Sequence, residues 1–208
     1  MKIAVIIESS SCDKNEAVVG ALAGRGHQIF NIGMKGKDDP VVLNYLHTSF
    51  MSALLLHVGA VDFVVGGCGT GQGYAIASNQ YPGVYCGHMV DPLDAWLFVQ
   101  INNGNAVSLE LNKGYGWAAD KSLGFIFDAL FSVSGGGGYP EHRKEVQTEA
   151  REKLAKITEA AHRPMAEIIS RMDRDILAQC AKNALFMELV KNASGGAAAR
   201  QAFLDAVS

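Results

Sequence analysis

The chain reads as an α/β protein, a Rossmann-like three-layer αβα sandwich around a five-stranded parallel sheet, with a C-terminal helical extension. Three observations predict this. Short apolar runs rich in β-branched residues, at residues 3–7 and 63–65, have the pattern of strands covered on both faces. Helical patterns alternate with such runs through the first 131 residues, as in a doubly wound sheet. A glycine-rich stretch, Gly66-Gly67-Cys68-Gly69-Thr70-Gly71-Gln72-Gly73, joins one run to a helical segment, the strand–turn–helix arrangement that cradles anions.

The elements follow in order. Residues 3–7 form the first strand. Ser9, Ser10, Ser11 and Cys12 make a polar loop, with Asp13 as expected N-cap of a helix over 14–24 carrying Val18, Val19, Leu22 and Ala23 on its apolar face. Gly26-His27 turns the chain into a strand over 28–32, completing one βαβ unit. A long helix is expected over 41–57. The strand 63–65 leads to the glycine loop and a helix over 74–79. Pro82-Gly83 turns into a strand over 84–86, followed by a helix over 91–99, a strand over 106–109 and a helix over 115–131.

The run Gly135-Gly136-Gly137-Gly138-Tyr139-Pro140 then breaks the pattern. Residues 141–190 are helical in pieces, with Pro164 as a break, and residues 197–207 form a last helix. The organisation is a domain over 1–144 and a helical extension over 145–208. An apolar stripe in the extension, through Leu154, Ile157, Met165, Ile168, Ile169, Met172 and Ile176, is expected to pack on the domain or on a second subunit, the second subunit being favoured.

Composition narrows the function. Hydrophobic residues are 49% of the 208 and charged residues 19%, enough to bury a substantial core. A net charge of −3 with no local Lys/Arg cluster gives no electrostatic footprint for nucleic acid. The opening apolar run ends at Glu8 after five residues, too short for a signal-peptide core or a membrane span. The four cysteines, Cys12, Cys68, Cys86 and Cys180, fit no zinc spacing and read as free thiols, with the cytoplasm as default location.

The glycine loop carries the chemistry. Its spacing is not G-x-G-x-x-G, and it lacks the Gly-Lys-Ser/Thr ending of a Walker loop. A thiol at a strand end beside a helix N-terminus loses its proton more easily than a free one. Cys68 therefore reads either as a base or nucleophile or as a small core residue. In sheets of this class, ligands lie outside the carboxyl ends of the strands. That rule groups Glu8 and Ser9, the loop from Cys68 to Gly73, and the loop near Asn102 and Asn103 around one crevice.

These residues resemble the sugar-phosphate isomerases that include type B ribose-5-phosphate isomerase and the subunits of galactose-6-phosphate isomerase. The match runs through Val64-Val65-Gly66-Gly67-Cys68-Gly69-Thr70-Gly71, then Ile76-Ala77-Ser78-Asn79, then Pro82-Gly83, Asp91, Ala95, Leu97, Asn102 and Asn105. Asn44-Tyr45 and the Gly137-Gly138 turn followed by Arg143 fit as well. The resemblance covers about the first 150 residues. It implies a dimer, or a dimer of dimers, with sites built between subunits. The implied reaction is aldose–ketose isomerisation of a small phosphorylated sugar through an enediolate, with neither metal nor organic cofactor. By resemblance Cys68 is the base, the backbone N–H groups of Gly69, Gly71, Gln72 and Gly73 hold the enediolate, and Thr70 assists at the oxygens.

The departures are specific. The family's Asp-His after the first strand is Glu8-Ser9 here, its ring-opening His is Ile101, and one phosphate-binding Arg aligns with Tyr139, leaving Arg143. A further Arg aligns with Asn112, next to Lys113. Glu8 reads equally as an acid–base group or as a solvated loop carboxylate. Asn102 reads as a substrate contact or a turn cap, and His88 as a histidine that reaches in to offset Ile101. Two alternatives stand beside the ribose or galactose reading: an isomerase of an acyclic four-carbon sugar phosphate, and a non-catalytic sugar-phosphate-binding subunit.

Overall fold

The computed structural model describes all residues, 1–208. Five parallel strands form one sheet in the order β2-β1-β3-β5-β4: β1 (Lys2–Ile7), β2 (Gln28–Asn31), β3 (Phe63–Cys68), β4 (Cys86–Met89) and β5 (Ala106–Glu110). The first βα unit winds outward to β2 and the later ones wind the other way. The sheet therefore changes direction between β1 and β3, the switch point at which such sheets bind ligands.

Alternation along β1 builds two cores. Ala4 and Ile6 face one layer, while Ile3, Val5 and Ile7 face the other. The second layer contains α1 (Asn15–Leu22), α4 (Pro92–Leu97) and α5 (Ala119–Phe131), packed through Val18, Leu22, Ala95, Leu123, Ile126 and Phe127. The first contains α2 (Tyr45–His57) and α3 (Gln72–Ser78). Most of the C-terminal helices join it: α7 (Met165–Arg171), α8 (Arg174–Ala181), α9 (Ala184–Asn192) and α10 (Ala197–Val207).

These four helices complete the core that β1, β3 and α2 begin. Phe186 and Phe203 are fully buried, and the Phe203 ring lies 5.6 Å from that of Phe50 on α2. Burying each phenylalanine contributes about 1.5–3 kcal/mol. Polar ties reinforce the packing: Asn183 Nδ2 donates to Ile32 O at 2.6 Å and Gln179 Nε2 to Val42 O at 2.8 Å. The preceding helix, α6 (Lys144–Ala161), behaves differently. None of its residues is buried, and Val146, Leu154 and Ile157 are exposed. The stripe expected through the extension is thus divided, with Met165 and Ile169 in the core and Leu154 and Ile157 on the surface.

Local chemistry moves several boundaries. Helix α2 starts at Tyr45, not at 41, because Asn44 and His47 form a capping box. Asp91 is the N-cap of α4, with Pro92 at N1, and a wider turn over Phe98–Asn102 follows the helix. Asp13 does not cap α1. It lies in a 3₁₀ turn, Cys12–Lys14, and pairs with Lys14. The expected strand 84–86 falls at Cys86–Met89, because pairing with β5 fixes that register and local propensity does not. Helix α5 begins at Ala119, after a loop that ends with Ala118 at φ +60°. No helix is long and apolar enough to cross a membrane.

Candidate active site

The carboxyl ends of β1, β3 and β5 lie side by side. Ile7 pairs with Gly67, so one step further along Glu8 stands beside Cys68, and on the other flank Cys68 pairs with Glu110. Cys68 faces the layer of α2 and α3 and is only 7% exposed. The chain turns immediately after it, through Gly69, Thr70 and Gly71, into α3. Gly71 takes φ +72°, a conformation that glycine adopts without strain.

The hydrogen bonds show what this turn presents. The carbonyl of Cys68 accepts from Leu111 N at 3.1 Å, and that of Gly69 accepts from Asn112 N and Lys113 N, both at 2.9 Å. The carbonyl of Gly71 accepts from Ala75 N and from the Ser108 hydroxyl. With these carbonyls fastened to the loop after β5 and to α3, the N–H groups of Thr70, Gly73 and Tyr74 find no partner in the chain. Those of Gly69, Gly71 and Gln72, expected to hold an enediolate, are taken by Ser10 Oγ, Cys68 O and Thr70 Oγ1, which corrects that expectation for all but Gly73. Two N–H donors on the Gly69 carbonyl polarise the Gly69–Thr70 peptide and strengthen Thr70 N–H as a donor. Helix α3 has only seven residues, so these individual N–H groups, more than a macrodipole, make the cradle.

Glu8 is 4% exposed and is not a solvated carboxylate. It accepts from Ser10 Oγ, from Ser10 N at 3.1 Å and from Ser9 Oγ at 3.4 Å. Ser10 Oγ in turn accepts from Gly69 N at 3.0 Å, and Asn112 Nδ2 donates to Ser10 O at 2.7 Å. The two loops are thereby locked together. The Tyr45 ring lies over Gly73, about 3.5 Å from where a β-carbon would stand. Thr70 and Gln72 are exposed at the mouth, and Gln72 N sits 3.4 Å from Thr70 Oγ1.

Glu8, Ser9, Cys68, Gly69, Thr70, Gly71, Gln72 and Gly73 thus converge, as their order at the strand ends implied. Asn102 and Arg143 do not join them within one chain, which corrects the grouping of the Asn102 loop with that crevice. Asn102 precedes β5, whose first residue pairs with Val64, while Cys68 lies four residues further along β3, about 13 Å away. The reason is directional: a loop that enters a parallel strand lies at the amino end of the sheet. There Asn102 lines a groove of about 390 Å³ with Ile101, Phe98, Tyr85, Cys86, Arg151 and Leu154. The glycine turn docks beside it, through Gly136 N to Val99 O and Gly138 N to Gln100 O, both at 2.9 Å, and brings the exposed, unpaired Arg143 to the same end. Cys86 borders this groove and packs against the core at its edge.

Ser10 is a site residue that the sequence did not reveal, and Tyr45, Asn112 and His88 are singled out in the sequence only through the resemblance. Within one chain His88 lies under the glycine loop and not in the Ile101 groove, which corrects its reading as a replacement there. Three serines in a row offered no way to tell which one would bridge to Gly69. No three His, Cys, Asp or Glu side chains converge on a metal-sized site.

Comparison with known proteins adds relatives to this geometry. The family model described as Ribose/Galactose Isomerase matches residues 3–122. The crystal structure of a 4-deoxy-L-threo-5-hexosulose-uronate ketol-isomerase complexed with a tartrate superposes with a TM-score of 0.91 at 37% identity, over 99% of this chain and 96% of that one. That of a ribose-5-phosphate isomerase from Vibrio parahaemolyticus superposes with a TM-score of 0.92 at 38% identity, over 97% of both chains. A 4-deoxy-4-sulfo-D-erythrose isomerase from Clostridium sp. (strain MSTE9) is 26% identical over 164 residues, which are 78% of this chain and 99% of that protein.

Proposed function

The chain belongs to the ribose/galactose isomerase family, a family of sugar isomerases, and on that premise we propose that it interconverts an open-chain acidic aldose and its ketose. The observation that carries this reading is the groove around Ile101. Family members are expected to place a ring-opening His there. Here Ile101 sits with Phe98 and Leu154. An isoleucine neither gives nor takes a proton, and the neighbouring Cys86 thiol is pushed up to about 12 by burial. A substrate that cannot close a ring needs no such group.

Two relatives point the same way. A 4-deoxy-5-hexosulose-uronate has no hydroxyl at C4 or C5 to attack its aldehyde, and a 4-deoxy-4-sulfo-erythrose has none at C4. Both carry an acid group at the far end. A carboxylate or sulfonate in place of a phosphate also suits a chain that keeps only Arg143 of the family's two arginines after the glycine turn. The favoured substrate class is the 4-deoxy-hexosulose-uronate, which has no ring-closing hydroxyl and ends in a carboxylate, and whose namesake aligns along nearly the whole chain, as the Vibrio relative also does.

The residues divide the work as follows. The Cys68 thiolate removes the proton from C2 of the aldose. Negative charge develops on O1, where N–H groups of Thr70, Gly73 and Tyr74 stabilise it. Glu8, held by Ser9 and Ser10, relays the hydroxyl proton from O2 to O1. Cys68 then returns its proton to C1, which completes the ketose with no net gain or loss of atoms. Asn102 and Arg143 serve the site of a second copy in a homodimer, the exposed face of α6 forming part of the contact.

A side-by-side measurement of kcat/KM tests the substrate. The panel is the hexosulose-uronate, the sulfo-erythrose, erythrose 4-phosphate, ribose 5-phosphate and galactose 6-phosphate, each in deuterated water. The open-chain acids should lead by at least tenfold, about 1.4 kcal/mol of transition-state binding. The Vibrio relative favours a second reading, ribose 5-phosphate. A clear preference for that pentose would overturn the first.

A further inference from the structure

Beneath the glycine loop lies a side chain that this chemistry has not used, His88. It stands on edge strand β4 as the register partner of Ser108, which is itself the partner of Gly66, so it faces the same layer as Cys68. Its Nε2 lies 3.1 Å from Thr70 O. A carbonyl oxygen can only accept, so Nε2 carries the proton in this contact.

The loop is shaped to admit the ring. A β-carbon on Gly71 would stand 2.5 Å from His88 Nε2, so any other residue at 71 would push the imidazole out. Glu110 Oε2 lies 3.8 Å from the same Nε2 and 3.1 Å from Lys113 Nζ. Lys113 N, in turn, is one of the two donors to the Gly69 carbonyl. His88 is thus the one side chain that fastens the carbonyl of Thr70, the residue whose N–H and hydroxyl the proposed mechanism sets against the reacting oxygens.

We propose that His88 is a positioning residue for the isomerisation: its Nε2–H fixes the Thr70–Gly71 peptide through the Thr70 carbonyl, while the two donors on the Gly69 carbonyl fix the preceding peptide, so that Thr70 is clamped on both sides with its N–H and hydroxyl held toward the developing oxyanion. The proposal rests on the loop's role as oxyanion cradle and is independent of which sugar is turned over. It concerns the transition state and not the ground state, because a loosened loop still binds the substrate chain but no longer holds its donors where charge appears.

The test uses the full-length protein, with His88→Leu and His88→Gln compared on whichever sugar of the panel the wild type isomerises fastest. A glutamine amide nitrogen reaches nearly the position of imidazole Nε2 and can donate the same hydrogen bond. His88→Leu should lower kcat by about tenfold or more, less than the 10²–10³ lost with a direct oxyanion donor. KM should stay within about threefold. Affinity for a hydroxamate mimic of the enediolate should fall in step with kcat, while affinity for the reduced, alditol form of the substrate should not. His88→Gln should recover most of the loss. Unchanged kcat in a folded His88→Leu protein would overturn the proposal, as would an equal loss of alditol and hydroxamate binding, or a folded His88→Gln protein no better than His88→Leu. A wild type that prefers ribose 5-phosphate would defeat the substrate reading and leave this comparison intact.

Discussion

The Ser10 hydroxyl accepts the N–H of Gly69 at 3.0 Å, across fifty-nine positions of sequence. The same hydroxyl donates to Glu8, so one oxygen couples the buried carboxylate of the first strand to the loop that carries the thiol of the third. Ser10→Ala removes both bonds at once. It should lower kcat by about tenfold and stability by about 1–3 kcal/mol, the cost of leaving buried polar groups unmet. Denaturant titration and steady-state kinetics on one preparation check both. A variant with wild-type kcat would show that the coupling has no catalytic consequence.

Cys68→Ala should abolish deuterium uptake at the carbon beside the carbonyl and cost about 10²–10⁴-fold in kcat, the range of a general base. The fold should survive, because the change is one small atom in a 7%-exposed position. Cys68→Ser should recover little, since a serine hydroxyl is scarcely ionised near neutral pH. Near-normal turnover by Cys68→Ala on the preferred substrate would remove Cys68 from the role of base.

If sites are shared between two copies, inactive variants should complement each other. Cys68→Ala and Arg143→Ala lie at opposite ends of the sheet. Unfolding and refolding them together should restore about a quarter of wild-type activity, because half the dimers are mixed and each has one intact site. No recovery from a mixture that does form mixed dimers would confine the site to one chain.

Phe203→Ala should destabilise the whole protein by about 3–5 kcal/mol, since the ring is fully buried between Phe50 and Phe186. Ile157→Ser, on the exposed face of α6, should barely alter the stability of the isolated chain but should weaken self-association. Urea melts and sedimentation separate the two effects. A Phe203→Ala variant as stable as wild type would mean that the C-terminal helices are an appendage.

Stability should fall as pH rises above the ordinary thiol value near 9. The Cys86 thiol faces inward toward Ser78 and Tyr74, and burial pushes it up to about 12. Between these limits the unfolded chain releases the proton and the folded chain keeps it. The unfolded state then binds fewer protons, so the free energy of unfolding decreases with pH. Cys180, also raised by burial, acts in the same direction. The melting temperature of Cys86→Ala should decline less steeply over pH 9–11 than that of wild type, and parallel slopes would contradict this.

The sequence by itself determined the layered α/β class, the first and third strands, and the place of the glycine loop. These follow from local periodicity and from turn chemistry within a few residues. Val64-Val65-Gly66-Gly67-Cys68 reads as a buried strand running into a tight turn, and in sheets of this class the carboxyl end of a strand is the ligand side. Pro164 and the glycine run at 135–138 likewise marked true breaks. Only the tertiary structure decided the rest. The register of β4 depends on pairing with β5, which local propensity does not encode. Which serine reaches Gly69, and whether His88 lies under the loop or elsewhere, depends on how separate strands stack. Asn102 lies at the far end of the sheet because its loop enters a strand where the Cys68 loop leaves one, a difference of direction that proximity in a motif conceals. The division of the C-terminal helices has the same origin. The apolar residues of α6 and α7 look alike in sequence, but α7 lies against α10 in the core below α2, whereas the apolar face of α6 is left to solvent.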